Sequence, residues 1–331
     1  MTPSRRGARR PRSIELFAGA GGLALGISKA GFETVALVDN DRDCVATLRK
    51  NRPRWNVIGR DIADVDFRGM KADLVTGGFP CQPFSHAGHK LGFRDVRGTV
   101  FYEFARAIKQ VRPRAFLAEN VEAITRNDGG RTLRTILDIL KALGYNVEHR
   151  TLNAVNYRVP QKRKRVIFVG VRRGMSFEFP APRSDVVTMG EALRDTPDSL
   201  GDAYSEWRRR ILEKVPPGGS WVNLPTRLQK RYLGSSFYSE GGKRGMARRL
   251  SWSEPCLTLT CSPSQKMTDR VHPDETRPLT VREYARIQTF PDTWGFEGSM
   301  HSQYRQIGNA VPIKLAMALG RSLRRALEPG A

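Results

Sequence analysis

Ser13-Ile14-Glu15-Leu16-Phe17-Ala18-Gly19-Ala20-Gly21-Gly22-Leu23-Ala24-Leu25-Gly26 joins an apolar run to a glycine cluster and then to a helical pattern closed by Gly31. The run Ser13–Phe17 predicts a strand, and Gly22–Ala30 a helix. Glycines at such a junction let the backbone bend sharply and approach a ligand closely. Gly19-x-Gly21-x-x-Ala24 also fits the dinucleotide fingerprint. Asp39 closes a second predicted strand, Thr34–Val38, where a carboxylate can accept from ribose hydroxyls. The loop points weakly to an adenosine-type cofactor and says nothing of its chemistry. A nicotinamide enzyme, or a glycine turn without ligand, fits it as well.

Outward from this unit the rhythm continues. Asp43–Lys50 reads as helical. Ala72–Val75, Ala115–Ala118 and Val166–Val171 are short runs rich in Val, Ile and Leu, separated by helical patterns at Val100–Gln110 and Thr132–Leu143. Strands alternating with helices imply an α/β domain with a parallel, doubly wound sheet. Near residue 175 the rhythm stops. Residues 176–270 are rich in Pro, Gly and Ser and hold three of the five tryptophans. Between Ser205 and Leu250 stand eleven Lys or Arg against three Glu. This reads as an inserted lobe with a basic surface. Helical character returns at Thr280–Gln288 and Ile313–Leu327, and no internal repeat is present.

Composition narrows the partners. Among 331 residues, 56 are basic and 33 acidic, giving a net charge of +23. Such a balance suits a polyanion, either nucleic acid or an anionic membrane. No stretch approaches the ~18 uninterrupted apolar residues of a membrane span. Five arginines fall within residues 1–12, ahead of Ile14–Ile27, which resembles an export signal. Glu15 and four glycines interrupt that stretch and no good cleavage site follows, so residues 1–12 read as a disordered basic tail. Cys44, Cys81, Cys256 and Cys261 form no CxxC pair and no dense framework, so neither a disulfide scaffold nor a structural zinc site is indicated. This usage fits a reducing cytoplasm. His86 and His89 lack a second ligand pair and read as part of a polar, mobile loop.

Gly77-Gly78-Phe79-Pro80-Cys81-Gln82-Pro83-Phe84-Ser85 follows the third apolar run. Its prolines fix φ and remove backbone donors, so it ends a strand in a stiff loop. Free cysteines are mostly buried fillers, but one presented on such a loop reads as a nucleophile.

Further blocks follow in order: Glu119-Asn120-Val121, Gln161-x-Arg163-x-Arg165, Arg282-Glu283-x-x-Arg286-x-Gln288-x-Phe290-Pro291 and Gln306-x-Gly308-Asn309-Ala310-Val311. With Phe17-Ala18-Gly19-x-Gly21-Gly22 and Pro80-Cys81-Gln82, these six resemble the DNA (cytosine-5) methyltransferases of the bacterial restriction–modification type, in order and spacing. The resemblance covers residues 13–172 and 275–320. It implies a Rossmann-like S-adenosylmethionine-dependent methyltransferase sheet, with residues 13–175 and 275–331 as the catalytic domain and 176–274 as a small inserted target-recognition domain.

The resemblance implies a division of labour among these residues. Cys81 would add to carbon 6 of cytosine, since a thiolate is strongly nucleophilic even at low population. Glu119 would serve the ring nitrogen N3, donating if partly desolvated and protonated. Arg163 and Arg165, alternating on one face of an extended segment, would hold the cytosine O2 and organise the site; a phosphate-binding or merely solvated basic strand is the alternative. Phe17, Ala18, Gly19, Gly21, Gly22, Asp39 and Asn40 would meet S-adenosylmethionine. Asp61, followed by Ile62, would accept from the adenine amino group, and Pro80, Asn309 and Val311 would complete the pocket. No metal is implied.

Duplex DNA is the implied partner, its target base swung out of the stack and covered by the loop Ser85–Gly98. In the inserted lobe, Lys and Arg would contact phosphates while a few side chains read base edges. Thr258-Leu259-Thr260 resembles the family's short recognition element. Trp221, Phe237 and Tyr238 read as core rather than DNA packing. A monomer is expected, in the cytoplasm with nucleoid DNA, and a cognate restriction endonuclease would act separately. A tRNA methyltransferase of similar architecture, a non-catalytic DNA-binding regulator and a dehydrogenase are the alternatives.

Overall fold

A computed structural model describes residues 9–80, 100–240 and 245–328. In chain order its elements are β1 Arg12–Leu16, α1 Gly22–Lys29, β2 Glu33–Asp39, α2 Arg42–Asn51, β3 Val57–Gly59, β4 Leu74–Gly77, α3 Val100–Val111, β5 Ala115–Val121, α4 Arg131–Ala142, β6 Tyr145–Asn153, β7 Gln161–Lys162, β8 Lys164–Arg172, α5 Met189–Ala192, α6 Glu206–Leu212, α7 Thr226–Leu233, β9 Cys256–Leu257, α8 Val281–Ile287, α9 Met300–Asn309 and α10 Ile313–Ala326. Two compact units result. The first comprises residues 1–152, 164–182 and 313–331; the second comprises 153–163 and 183–312.

The first unit is built on a seven-stranded sheet of order β3-β2-β1-β4-β5-β8-β6. Strands β3, β2, β1, β4 and β5 pair in parallel. Strand β8 runs antiparallel to β5, with Ala115 opposite Val171 and Val121 opposite Arg165. This corrects the expectation of an all-parallel sheet. A parallel return needs a crossover, usually a helix, and residues 154–163 between β6 and β8 contain no α-helix.

The central strands are buried along their length, as β5 shows, with every residue from Ala115 to Asn120 buried. An aromatic ladder fills one side of the sheet. Phe79 packs on Phe101 with ring centroids 5.2 Å apart, and Phe116 meets Phe104 at 6.2 Å and Tyr145 at 5.1 Å. Helices α1 and α10 pack so closely that a Cβ on Gly26 would lie 2.3 Å from Ala316 Cβ and 2.7 Å from the Ile313 carbonyl oxygen. Only glycine fits there.

The second unit has its own core around Tyr232, Leu212, Leu233 and Val271. Inside it the carboxylate of Asp269 accepts from Tyr232, from Arg208 at 2.5 Å and from the Ala247 amide at 2.9 Å. Trp221 and Phe237 pack against this core. Tyr238 does not: it is 76% exposed. It ends a short 3-10 turn (residues 234–238) whose residues are nowhere buried, so its expected place in the core is corrected. Among the described residues, no helix is long and apolar enough to cross a membrane.

Candidate active site

The glycine turn after β1 needs glycine conformations. Gly19 and Gly21 have φ of 53° and 82°, and Phe17, at 56°, shares the strained region. The turn is held by its neighbour strand: Gly19 N–H donates to Asp39 Oδ2 at 2.7 Å, and Asp41 N–H donates to Asp39 Oδ1 at 2.8 Å. Burial raises the Asp39 pKa above the ordinary carboxylate range. Asp39 therefore shapes the loop as well as offering an acceptor. Asn40 Nδ2 donates to Asp61 Oδ2 at 3.2 Å, on the exposed rim, while Asp61 Oδ1 caps the turn beginning at Ile62. Ile62 itself is buried. A Cβ placed on Gly19 meets nothing within 4 Å, so open space lies over the turn. A glycine turn, open space and a polar rim suit an adenosyl group bearing ribose hydroxyls and an amino group.

Beneath the turn lies a residue that the sequence reading passed over. Glu15 is buried in β1, accepts from Thr76 Oγ1 at 3.2 Å, and burial pushes its pKa up to about 8. An acidic residue interrupting an otherwise apolar strand was the available signal.

A carboxylate and a guanidinium meet at the carboxyl end of β5. Glu119 Oε1 pairs with Arg165 Nε at 2.8 Å, both side chains largely buried. The pairing follows from the register, because antiparallel β8 places Arg165 opposite Val121 and Ile167 opposite Glu119. Space for the carboxylate comes from Gly78, where a Cβ would lie 3.1 Å from Glu119 Oε2. Buried Asn120 donates through Nδ2 to the Phe79 carbonyl at 2.9 Å, tying β5 to the segment that leads into Pro80. Its position beside Glu119 was legible; this tie was not. Pro80 is exposed. Cys81, His86, His89 and the loop Ser85–Gly98 lie outside the described residues.

Arg163, two residues before Arg165, belongs to the second unit and has a different environment. It is 1% exposed, and its guanidinium donates to the carbonyls of Leu259 at 3.1 Å, Gly308 at 2.8 Å and Ala310 at 3.3 Å. Gln161 and Gln288 extend this network. Gln161 Oε1 accepts from Leu259 N–H at 3.0 Å, Gln161 Nε2 donates to Gln288 Oε1 at 2.9 Å, and Gln288 Nε2 donates to the Ile307 carbonyl at 2.8 Å. Four separate sequence blocks thus interlock through buried polar groups, which in a low dielectric hold one arrangement. At the same place a Cβ on Gly308 would come within 2.5 Å of the Thr260 carbonyl oxygen. Exposed Asn309 accepts from Cys261 Sγ at 2.9 Å, and Val311 is buried.

Of the other cysteines, Cys44 and Cys256 are buried, and burial pushes the Cys256 thiol up to about 12. Among the described residues, no group of three or more His, Cys, Asp or Glu is placed to hold a metal.

A strand order that reverses between β1 and β4, a glycine turn after β1, a carboxylate after β2 and an antiparallel β8 define a Rossmann-like methyltransferase fold. The solved structure of a DNA modification methyltransferase encoded within an E. coli prophage has the same fold, with a TM-score of 0.70 at 23% identity over 96% of this chain and 99% of that one. The chain belongs to the C-5 cytosine-specific DNA methylases, whose family model matches residues 11–325. It is 55% identical over 329 residues to the Type II methyltransferase M.PspPI of Psychrobacter sp. (strain TA137), and 54% identical to M.Eco47II of Escherichia coli, in each case across 95% of this chain and 79% of the relative.

Proposed function

We propose that this DNA methylase moves a methyl group from S-adenosylmethionine to carbon 5 of a cytosine flipped out of a short specific duplex sequence, through a covalent adduct on Cys81. The observation that supports this most directly is the Glu119–Arg165 pair at the end of β5. Strand β4, whose continuation carries Pro80-Cys81, lies between β5 and β1, the strand of the glycine turn.

The chemistry follows. The Cys81 thiolate forms a bond to carbon 6, and the ring's displaced electron pair gathers on carbon 5 while N3 shares a proton with Glu119. Arg165, fixed by that carboxylate, donates toward the cytosine O2. When bound, S-adenosylmethionine supplies an electrophilic methyl on a sulfonium. After transfer, a base removes the carbon 5 proton, the thiolate leaves carbon 6 and the aromatic ring is restored. Phe17, Ala18, Gly19, Gly21, Gly22, Asp39, Asn40, Asp61, Ile62, Pro80, Asn309 and Val311 are assigned to holding the adenosyl group. We assign Arg163 to positioning rather than to contact with the base, because its donors serve backbone carbonyls.

Residues 176–274 are assigned to target recognition. A separately acting restriction endonuclease is proposed as a functional companion, in keeping with the Type II methyltransferase names of the relatives, and the enzyme is proposed to work as a monomer on nucleoid DNA in the cytoplasm. The test is transfer of labelled methyl from S-adenosylmethionine to unmethylated duplex DNA, with base-resolution mapping and Cys81→Ser as control. Methyl on cytosine carbon 5 in one recurring sequence, absent in the variant, is the expected result. Transfer to tRNA only would overturn it.

A further inference from the structure

Helices that follow parallel strands run back along the sheet, so their last turns gather at the edge opposite the glycine turn and Glu119. In the first unit this edge is cationic on both faces of the sheet. A cavity of about 690 Å³ opens between the ends of α3, α4 and β8, and Lys109, Arg112, Arg172 and Arg173 are its charged lining residues. A second, of about 350 Å³, opens between the ends of α1 and α10, lined by Lys29, Arg321, Arg324 and Arg325 with Glu328.

Two ordinary explanations account for part of this charge. Arg172 Nε donates to the Pro113 carbonyl at 3.0 Å, and Arg324 reaches the Ala30 carbonyl, where Gly31 leaves room for its guanidinium. These two hold the fold. Helix carboxyl ends also attract cations, but each carries only about half a negative charge. Four such ends offset roughly two charges, against the seven lining cations besides Lys109 and the one lining carboxylate, Glu328, which already lies 4.0 Å from Arg324. A substantial positive excess remains. Lys141, exposed in the last turn of α4, adds to it.

We infer that this edge binds the phosphate backbone of a second duplex segment, distinct from the one whose base is methylated. The inference rests on the reading of the protein as a DNA-acting enzyme, because that places duplex DNA beside it at high local concentration. Lys and Arg facing phosphates release condensed counterions whatever the sequence. Two such sites on opposite edges of one sheet allow the enzyme to pass directly from one segment to another without first dissociating.

The test is stopped-flow displacement of the full chain from a short fluorescent duplex by unlabelled duplex. Direct passage makes the observed displacement rate rise with competitor concentration, whereas simple dissociation is independent of it. A rising rate is expected for the wild type; a flat one overturns the proposal. The variant Arg112→Asn, Lys141→Gln, Arg173→Gln, Arg321→Gln, Arg325→Gln spares Arg172 and Arg324. It is expected to lower the concentration dependence at least about 5-fold and to reduce the salt slope of duplex binding by up to about 4.5. Single-turnover methyl transfer to plasmid DNA should stay within about 2-fold of wild type, since chemistry is confined to the other edge. If the quintuple variant fails to fold, the triple variant in the first cavity and the double variant in the second are measured separately, each expected to lose part of the dependence. Retention of the full dependence overturns the inference. So does loss of binding to phosphatidylserine vesicles with duplex passage unchanged, which would make the edge a membrane contact. Displacement needs no catalysis, so absence of methyl transfer in the wild type would count against the proposed reaction and not against this edge.

Discussion

Gln161 Nε2 donates to Gln288 Oε1 across 2.9 Å, and neither side chain is exposed to solvent. Each glutamine also serves backbone groups, Gln161 the Leu259 amide and Gln288 the carbonyls of Ile307 and Ala310. Removing either leaves buried partners unsatisfied, at about 1–3 kcal/mol. Gln288→Leu should destabilise the protein by that amount in a denaturant titration. The double variant Gln161→Leu/Gln288→Leu should cost less than the sum of the single changes, because the two share one bond.

Glu119 is expected to act in the chemical step. Glu119→Gln keeps the shape but loses the charge that holds Arg165 and the acid that supplies a proton to N3. Single-turnover methyl transfer should fall by about 10²–10⁴, with the concentration of DNA giving half-maximal rate changed only a few-fold. A fall in binding alone, with the chemical rate preserved, would remove Glu119 from the reaction.

Gly78 sets the position of that carboxylate. A methyl group at 78 would press on Glu119 Oε2 from 3.1 Å, displacing it by a few tenths of an ångström. Gly78→Ala should therefore melt near the wild-type temperature yet transfer methyl roughly 10–100-fold more slowly, as small misplacements of reacting groups do. Full activity in Gly78→Ala would show that the carboxylate position is not critical.

Glu15 links stability to pH. Its pKa rises from 4.5 in the open chain to about 8 in the fold because burial disfavours the charge. Below about 4.5 both states hold the proton and the contribution is complete. Between there and about 8 the unfolded chain releases its proton while the fold keeps it, so stability falls as pH rises and then levels off. Glu15→Gln is expected to flatten that decline, seen as melting temperature against pH from 5 to 9.

The strand–glycine–helix unit, the alternation that follows and the order of the motifs were legible because each rests on local pattern. Gly22–Lys29 forms as a helix close to where its apolar spacing places it. The reversal of β8 was not legible, since a Val-rich run reads alike in either direction. Charge proved the least transparent signal. Arg249, counted in the basic stretch of the inserted lobe, is 3% exposed and donates to the carbonyls of Leu212, Val215 and His272. Arg163 is similarly enclosed. An arginine that satisfies buried carbonyls and one that faces phosphate are the same letter. Likewise Arg282, Glu283 and Arg286, quoted for the family resemblance, build a helix and its surroundings: Glu283 completes a capping box with Thr280, while Arg286 pairs with Asp292 at 2.6 Å.

The close seat of α1 on α10 has a consequence for synthesis. Helix α1 carries the glycine turn forward into the first unit, yet the surface it packs on, through Gly26 against Ala316, is made only after residues 153–163 and 183–312 of the second unit. A nascent chain on the ribosome therefore exposes the apolar flank of α1 throughout the translation of the entire second unit. The seat of α1 on α10 thus closes only once the second unit has been made.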